Sequence, residues 1–237
     1  MLEIDTVSAH SVKYGAQCID MTSRRDIAII GLGRFGKSLA LELTRIGDRV
    51  LCIDDDKANV IAISGEVDTV VQADATDIKA LKQLSLSDYD VVFIAIGENM
   101  QSSLVTTMNA LELGCRKVWV KAQGEMHERI LRQLGIEHIV MPEQHAGVHL
   151  AQMVHNPMIR DYLTLGEHQY VVQLLISEEL IGQSLEDLKF DRHGLSCLAL
   201  QRDGRLQDLG SGPLTLEEGD TLIVCGKRQA VREFCNA

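Results

Sequence analysis

The sequence predicts an α/β protein: a doubly wound parallel sheet of the Rossmann type, followed by a smaller C-terminal α+β domain. Three observations predict it. From residue 26 onward, short apolar runs alternate with amphipathic segments of about ten residues. The motif Gly31-Leu32-Gly33-Arg34-Phe35-Gly36 stands between the first run and the first amphipathic segment. After Asn156-Pro157 the rhythm changes to shorter elements of mixed type.

The first part of the chain repeats a strand-helix unit. Apolar runs of this length suit strands that are buried on both faces of a parallel sheet, with crossover helices covering each face. The predicted strands are Asp26–Gly31, Arg49–Asp54, Thr69–Ala73, Asp90–Ile96, Lys117–Lys121 and His138–Met141. The predicted helices are Gly36–Ile46, Lys57–Ser64, Ile78–Leu84, Gln101–Leu113, His127–Leu134 and Glu143–Met153.

The second part lacks this repeat. Its predicted elements are strands at Gln169–Ile176, Leu195–Gln201 and Asp220–Cys225, a short helix at Ser184–Leu188 and a closing helix at Arg228–Phe234. We therefore predict an N-terminal extension (1–24), a nucleotide-binding domain (25–142), a crossover helix with a linker (143–160) and a C-terminal domain (161–237).

Composition and charge exclude several classes of function. The 237 residues carry a formal net charge of −11, which argues against a general nucleic-acid binder. No apolar run approaches the roughly 20 residues of a membrane-spanning helix, and the N-terminus has no signal-peptide pattern. The six cysteines show no CxxC spacing, so a reduced, cytoplasmic setting is expected.

The glycine-rich loop predicts a phosphate site. Gly31 permits a tight turn, Gly33 leaves room for a pyrophosphate, and Gly36 lets the helix pack closely on the sheet. The helix N-terminus offers free N–H groups to phosphate oxygens. Asp54 ends the second strand and is expected to accept hydrogen bonds from a ribose. That ribose occurs in NAD and in ATP, ADP and AMP alike.

Further residues at the carboxyl edge of the predicted sheet complete the candidate site. Arg34 suits a nucleotide that ends in a charged phosphate, which favours ATP or ADP over NAD. Glu143 follows the sixth strand, where a carboxylate can hold a divalent cation such as Mg²⁺ or Ca²⁺ beside phosphates. The other candidates, expected beside the ribose, the base or the phosphates, are Asp55, Asp56, Asp74, Ala75, Thr76, Ala95, Ile96, Gly97, Asn99 and Lys121.

Catalysis is not expected. A dehydrogenase needs a substrate domain that places acid and base groups near the nicotinamide. The residues after Asn156 are few and contain no evident constellation of that kind. We favour a nucleotide sensor without turnover. An NAD-dependent oxidoreductase, an NAD(H)-sensing regulator and a free-standing adenosine-nucleotide sensor are the alternatives.

The combined motifs resemble the RCK (KTN) family, the regulatory subunits of Ktr- and Trk-type potassium uptake systems, and its Ktr branch in particular. The resemblance covers residues 25–235. It rests on IAIIGLGRFGKSLA (27–40), QADATD (72–77), VVFIAIGENMQSSL (91–104), VWVKAQ (118–123), IVMPEQHAGVHLAQ (139–152), IGQSLEDL (181–188) and EEGDTLIVCG (217–226).

The resemblance implies a function and an assembly. Such subunits bind ATP or ADP and gate a membrane subunit of the KtrB/TrkH type that translocates potassium. They form a homo-octameric ring built from dimers at the cytoplasmic face of the membrane. Carried over by position, Arg34 reaches the γ-phosphate of a neighbouring subunit's nucleotide, and Glu143 helps to hold a divalent cation. The C-terminal domain is implied to be of the RCK_C (TrkA_C) type. The N-terminal extension has no counterpart in the family's pattern.

Overall fold

A computed structural model describes residues 24–166, 169–210 and 212–235. The chain divides between Met141 and Pro142 into two compact units. The predicted extension at 1–24 lies outside the described residues except for Arg24. None of the described helices is long and apolar enough to cross a membrane.

The first unit is built on a six-stranded parallel sheet with the order β3-β2-β1-β4-β5-β6. This order is that of a doubly wound dinucleotide-binding sheet, so the predicted fold class is confirmed. Its strands are β1 (Asp26–Ile30), β2 (Arg49–Asp54), β3 (Thr69–Gln72), β4 (Val91–Ile94), β5 (Val118–Lys121) and β6 (His138–Val140). Its helices are α1 (Arg34–Ile46), α2 (Lys57–Ile63), α3 (Ile78–Gln83), α4 (Met100–Glu112) and α5 (Glu125–Gln133).

Alternate residues of each strand enter two separate cores, as period-two geometry requires. In β1, Ala28 and Ile30 belong to a core that also holds Leu81 of α3, Ala110 of α4 and Leu131 of α5. The alternate residues of β1, Ile27 and Ile29, pack with Ala40 of α1 and Ile63 of α2. Helices therefore cover both faces of the sheet.

The buried cysteines Cys52 and Cys115 belong to the two cores of the first unit. Burial raises the pKa of the Cys52 thiol to about 12, so Cys52 stays protonated and behaves as a small apolar residue. The five cysteines in the described ranges are all free.

The second unit begins with α6 (Pro142–His155) and continues into an antiparallel five-stranded sheet with the order β10-β9-β11-β8-β7. The strands are β7 (Ile159–Leu165), β8 (Gln169–Leu175), β9 (Leu195–Arg202), β10 (Arg205–Gln207) and β11 (Thr221–Lys227), and α7 (Arg228–Cys235) follows. A third core, which includes Leu174, Leu200, Leu222 and Val231, packs this sheet against α7 and the short helices between β8 and β9.

Two strands of the second unit were not predicted from the sequence. Strand β7 starts inside the segment expected to be a linker, and no element was predicted where β10 lies. Both are edge strands of the sheet. Most of their residues are exposed, so neither shows the alternation of a half-buried strand.

Candidate functional site

The candidate nucleotide site lies at the topological switch point of the parallel sheet. Strand β1 pairs with β2 on one side and with β4 on the other, and a crevice is expected where the connections depart in opposite directions. The backbone at this point is tied to both neighbours. The Gly31 N–H donates to the Ile53 carbonyl at 2.8 Å, and the Ala95 N–H donates to the Ile30 carbonyl at 2.7 Å.

The three glycines of the loop differ in their surroundings. Gly31 has a φ of +95°, and a Cβ there would lie 2.9 Å from the Ile96 nitrogen. A Cβ on Gly36 would lie 1.9 Å from the Gly31 oxygen, so only glycine lets α1 start this close to the loop. Gly33 is exposed, and a Cβ there would meet no atom within 4 Å. The open space at Gly33 is where a phosphate can approach.

Asp54 is 92% buried and braces the loop itself. One carboxylate oxygen accepts a hydrogen bond from the Leu32 N–H at 2.5 Å. The other accepts from the Asp56 N–H at 2.8 Å and from the Asn59 side chain at 3.2 Å. Asp54 therefore fixes the loop's shape, and a ribose hydroxyl has to share or displace one of these bonds. Asn59 was missed by the sequence analysis, since its role depends on where α2 places it.

A basic and an aromatic side chain meet at the rim of the crevice. The Lys121 ammonium lies 5.8 Å from the centre of the Phe35 ring. A Cβ on Gly97 would lie 3.1 Å from the same ammonium. The structure thus brings together residues of β5, α1 and the segment after β4. Arg34 is the first residue of α1, and its side chain is exposed.

Several carboxylates among the predicted residues have structural partners. Asp56 caps α2 by accepting from the Ala58 N–H at 2.8 Å. Asp74 accepts from the hydroxyl and the N–H of Thr76 at 2.7 and 2.8 Å, and these bonds lower the pKa of its carboxyl. Asp55 is exposed. These contacts provide turn and cap geometry, and they leave Asp74 ionised at neutral pH.

Two asparagines shape the loops around the crevice. Asn99 caps α4 by accepting from the Ser102 N–H at 3.0 Å. Asn109 donates to the carbonyls of Ala75 and Thr76 at 3.2 and 2.9 Å. Asn109 holds the loop after β3 from a helix distant in sequence, so no local motif identifies it.

Glu143 is the predicted cation ligand. It is the second residue of α6, it is exposed, and it belongs to the second unit. Within the described ranges, no three His, Cys, Asp or Glu side chains cluster in a way that would hold a metal ion. Glu143 therefore stays a prediction that needs further ligands from outside these residues.

Comparisons with known proteins decide the family. The TrkA-N domain profile matches residues 27–142, and the TrkA-C domain profile matches residues 171–237. Ktr system potassium uptake protein A of Vibrio alginolyticus is 33% identical over 206 residues, which cover 86% of this chain and 94% of that protein. The chain belongs to the TrkA/KtrA family of potassium uptake proteins. Ktr system potassium uptake protein C of Bacillus subtilis is 34% identical over 89% of this chain and 96% of its own length.

Solved structures support the fold of this TrkA/KtrA family member. The RCK domain of GsuK covers 89% of this chain with a TM-score of 0.59 at 16% identity. The GsuK channel bound to NAD covers 90% with a TM-score of 0.63, also at 16% identity. The chain spans 47% and 40% of those two chains. The resemblance inferred from the motifs is thus confirmed.

Proposed function

We propose that this protein is a nucleotide-sensing regulatory subunit of a potassium uptake system. The observation that carries the proposal is a glycine-rich loop at the switch point, braced by Asp54, in a chain one third identical to Ktr potassium uptake proteins. The nucleotide acts as a signal rather than a substrate. A ligand that binds two shapes of the assembly with different affinity shifts the population between them.

ATP and ADP are the nucleotides that the charges favour. Arg34 is exposed at the start of α1, and Lys121 lies at the rim beside Gly97. Guanidinium and ammonium groups at a helix N-terminus suit a chain of phosphates. In our proposal, Arg34 reaches the terminal phosphate of a neighbouring subunit's nucleotide. ATP has one phosphate more than ADP, so this contact would exist in one geometry of the ring.

The proposed setting is the cytoplasmic face of the membrane. We propose that the chain forms an octameric ring built from dimers and docks on a potassium-translocating subunit of the KtrB/TrkH type. Glu143 is proposed to help hold a divalent cation, with its remaining ligands supplied by a second copy. Support comes from the identity to Ktr proteins and from the exposed position of Glu143 at the start of α6.

Sensing of NAD or NADH is the second candidate. The GsuK channel bound to NAD has the same fold, and a buried acid after the second strand suits its adenosine ribose as well as that of ATP. Hydride-transfer catalysis would in addition require a substrate pocket with acid and base groups beside the nicotinamide.

Thermal unfolding with ATP, ADP, NAD, NADH or buffer, at constant Mg²⁺, separates these candidates. A ligand at 100 times its Kd adds about 2.7 kcal/mol to stability. We expect ATP and ADP to stabilise the wild type strongly and NADH weakly. If NADH alone stabilises it, the ATP/ADP proposal is wrong and a search for substrates follows.

The Arg34→Ala variant tests the proposed phosphate contact. Because Arg34 is exposed, its removal should leave the melting temperature without ligand unchanged. We expect Arg34→Ala to reduce the difference between the Kd values of ATP and ADP. The control Arg45→Ala, at the other end of α1, should leave that difference unchanged. An unchanged preference in Arg34→Ala would show that this residue has another role. Co-purification with a KtrB/TrkH-type subunit then separates a gating subunit from a free-standing sensor.

A further inference from the structure

The second unit contains a cavity that the nucleotide proposal does not use. Helix α6, strands β7 and β8, and helix α7 line an open cavity of about 140 Å³. All of its lining residues belong to the second unit, so the inference does not depend on the proposed nucleotide crevice.

The walls of the cavity are mainly apolar. Val148, Ile159, Val172 and Val231 line it, together with Tyr162 and Tyr170. The two tyrosine rings are tilted, with centres 6.1 Å apart. The His149 ring stacks on the Tyr162 ring at 4.8 Å, which limits the rotation of that tyrosine. The cavity therefore offers a preformed apolar surface with aromatic faces.

Two of the residues that line the cavity are basic. Arg228 and Arg232 both line it, and their i, i+4 spacing places them on one face of α7. None of the described lining residues is acidic. Glu233, which follows Arg232 on α7, accepts a hydrogen bond from Gln229 at 2.8 Å, and Asp161 lies 3.2 Å from the His149 ring nitrogen.

Arg228 and Arg232 are exposed and lie on one face of α7, so both guanidinium groups can pair with an anion at the mouth of the cavity. We propose that this cavity binds a small amphipathic organic anion. Its acidic head group pairs with Arg228 and Arg232, and its aromatic or aliphatic body lies between the tyrosines and the valine side chains.

A pair of fluorescent probes tests the charge and the apolar contact separately. The anionic probe is 8-anilinonaphthalene-1-sulfonate, and the neutral one is N-phenyl-1-naphthylamine. We expect both to bind the full-length wild type saturably. In the double variant Arg228→Gln/Arg232→Gln, the Kd of the anion should rise about tenfold, because two charge-assisted contacts are lost. The Kd of the neutral probe should change less than about twofold.

The matched control is Arg192→Gln/Arg205→Gln, which removes the same charge from exposed positions of the same unit that do not line the cavity. It should leave both Kd values unchanged. Thermal unfolding of each variant checks that the fold is retained. Probe bound in the nucleotide crevice would not respond to Arg228 and Arg232, so the difference between the two pairs reports on the cavity alone.

A blocking variant tests the location. Val148 is 54% exposed, so Val148→Trp should fold and should weaken both probes by filling one wall. An anion affinity that is equal in the wild type and in Arg228→Gln/Arg232→Gln overturns the proposal. The proposal is also wrong if Arg192→Gln/Arg205→Gln weakens binding of the anionic probe as much as Arg228→Gln/Arg232→Gln does. If neither probe binds and Val148→Trp lowers the mass measured by light scattering, a second copy occupies the cavity instead, and the proposal is wrong.

Discussion

Single residues at the phosphate loop differ in what they do, although all were predicted as one site. Gly36 is required by packing, Gly31 by its backbone angle and by packing, and Gly33 by neither. Asp54 is engaged three times before any ligand binds. The motif therefore combines positions that maintain the fold with one position that is open for phosphate.

The glycines give a prediction with a built-in control. Gly36→Ala should lower the free energy of unfolding by about 1–3 kcal/mol or more, since its Cβ would overlap the Gly31 oxygen. Gly33→Ala should change stability by about 1 kcal/mol or less, because its Cβ meets open space. It should nevertheless weaken nucleotide binding. Urea unfolding and nucleotide titration measure the two effects, and equal stability of both variants would contradict this reading.

At the scale of single elements, helix α5 depends on a buried histidine. His127 is fully buried, and its Nδ1 accepts from the Gln123 N–H at 3.2 Å, just before the helix begins. Its Nε2 has no hydrogen-bond partner in the described part of the chain. Burial lowers the pKa of His127 below its usual range, because the charged imidazolium is desolvated.

This histidine predicts how stability depends on pH. The unfolded chain takes up the proton first as pH falls, so stability should decrease below the ordinary histidine pKa of about 6.5. His127→Asn keeps an acceptor for the Gln123 N–H and should reduce that dependence between about pH 5.5 and 7.5. The exposed His145 provides the control His145→Asn, which should retain it. Chemical denaturation across this range measures the slope, and an unchanged slope in His127→Asn would count against the assignment.

Arg202 holds the segment between β10 and β11 through ion pairs with Asp220 and Glu217. Arg202 of β9 donates to both oxygens of the fully buried Asp220 at 2.8 Å, to the Thr215 carbonyl at 2.8 Å, and to Glu217. Burial alone would raise the pKa of the Asp220 carboxyl. The hydrogen bonds from Arg202 and the Glu217 N–H, and the guanidinium charge, outweigh it and lower that pKa.

Removing this arginine should destabilise the second unit in a pH-dependent way. Arg202→Met leaves a buried carboxylate without its cation, which costs about 3 kcal/mol at neutral pH. The wild type keeps this contribution above the ordinary Asp pKa and loses it as pH falls through the lowered value. The gap between the variant and the wild type in the free energy of unfolding should therefore narrow as pH falls below about 4. Arg205→Met, at an exposed position of β10, is the control for unfolding curves, and a gap that is constant with pH would contradict the role of Asp220.

At the scale of the whole molecule, the chain consists of two units with different sheets, one parallel and one antiparallel. Apolar side chains are exposed in both, including Met126 and Ile61 in the first unit and Val154 and Leu163 in the second. Single exposed apolar residues are normal on protein surfaces, so assembly of this chain is a prediction that rests on the family resemblance.

Assembly gives the whole-molecule prediction. Light scattering with ATP should give a mass near eight times the 26.2 kDa of one chain, passing through a dimer on dilution. A mass of one chain at all concentrations, with and without ATP, would contradict the proposed ring. Arg192→Gln, a substitution at an exposed position, is the control and should give the same mass as the wild type.

Sequence patterns were sufficient to predict the parallel sheet, the loop that opens α1, the acid at the end of β2 and the family. These depend on the spacing of neighbouring residues, which strand and helix geometry converts directly into position. The folded structure was needed to show that Asp54 accepts a hydrogen bond from the Leu32 N–H, that Lys121 lies beside Phe35, and that β7 and β10 are edge strands. It also placed Arg228 and Arg232 beside an apolar cavity. Such contacts join segments far apart in the chain, so they follow from packing and leave no local pattern.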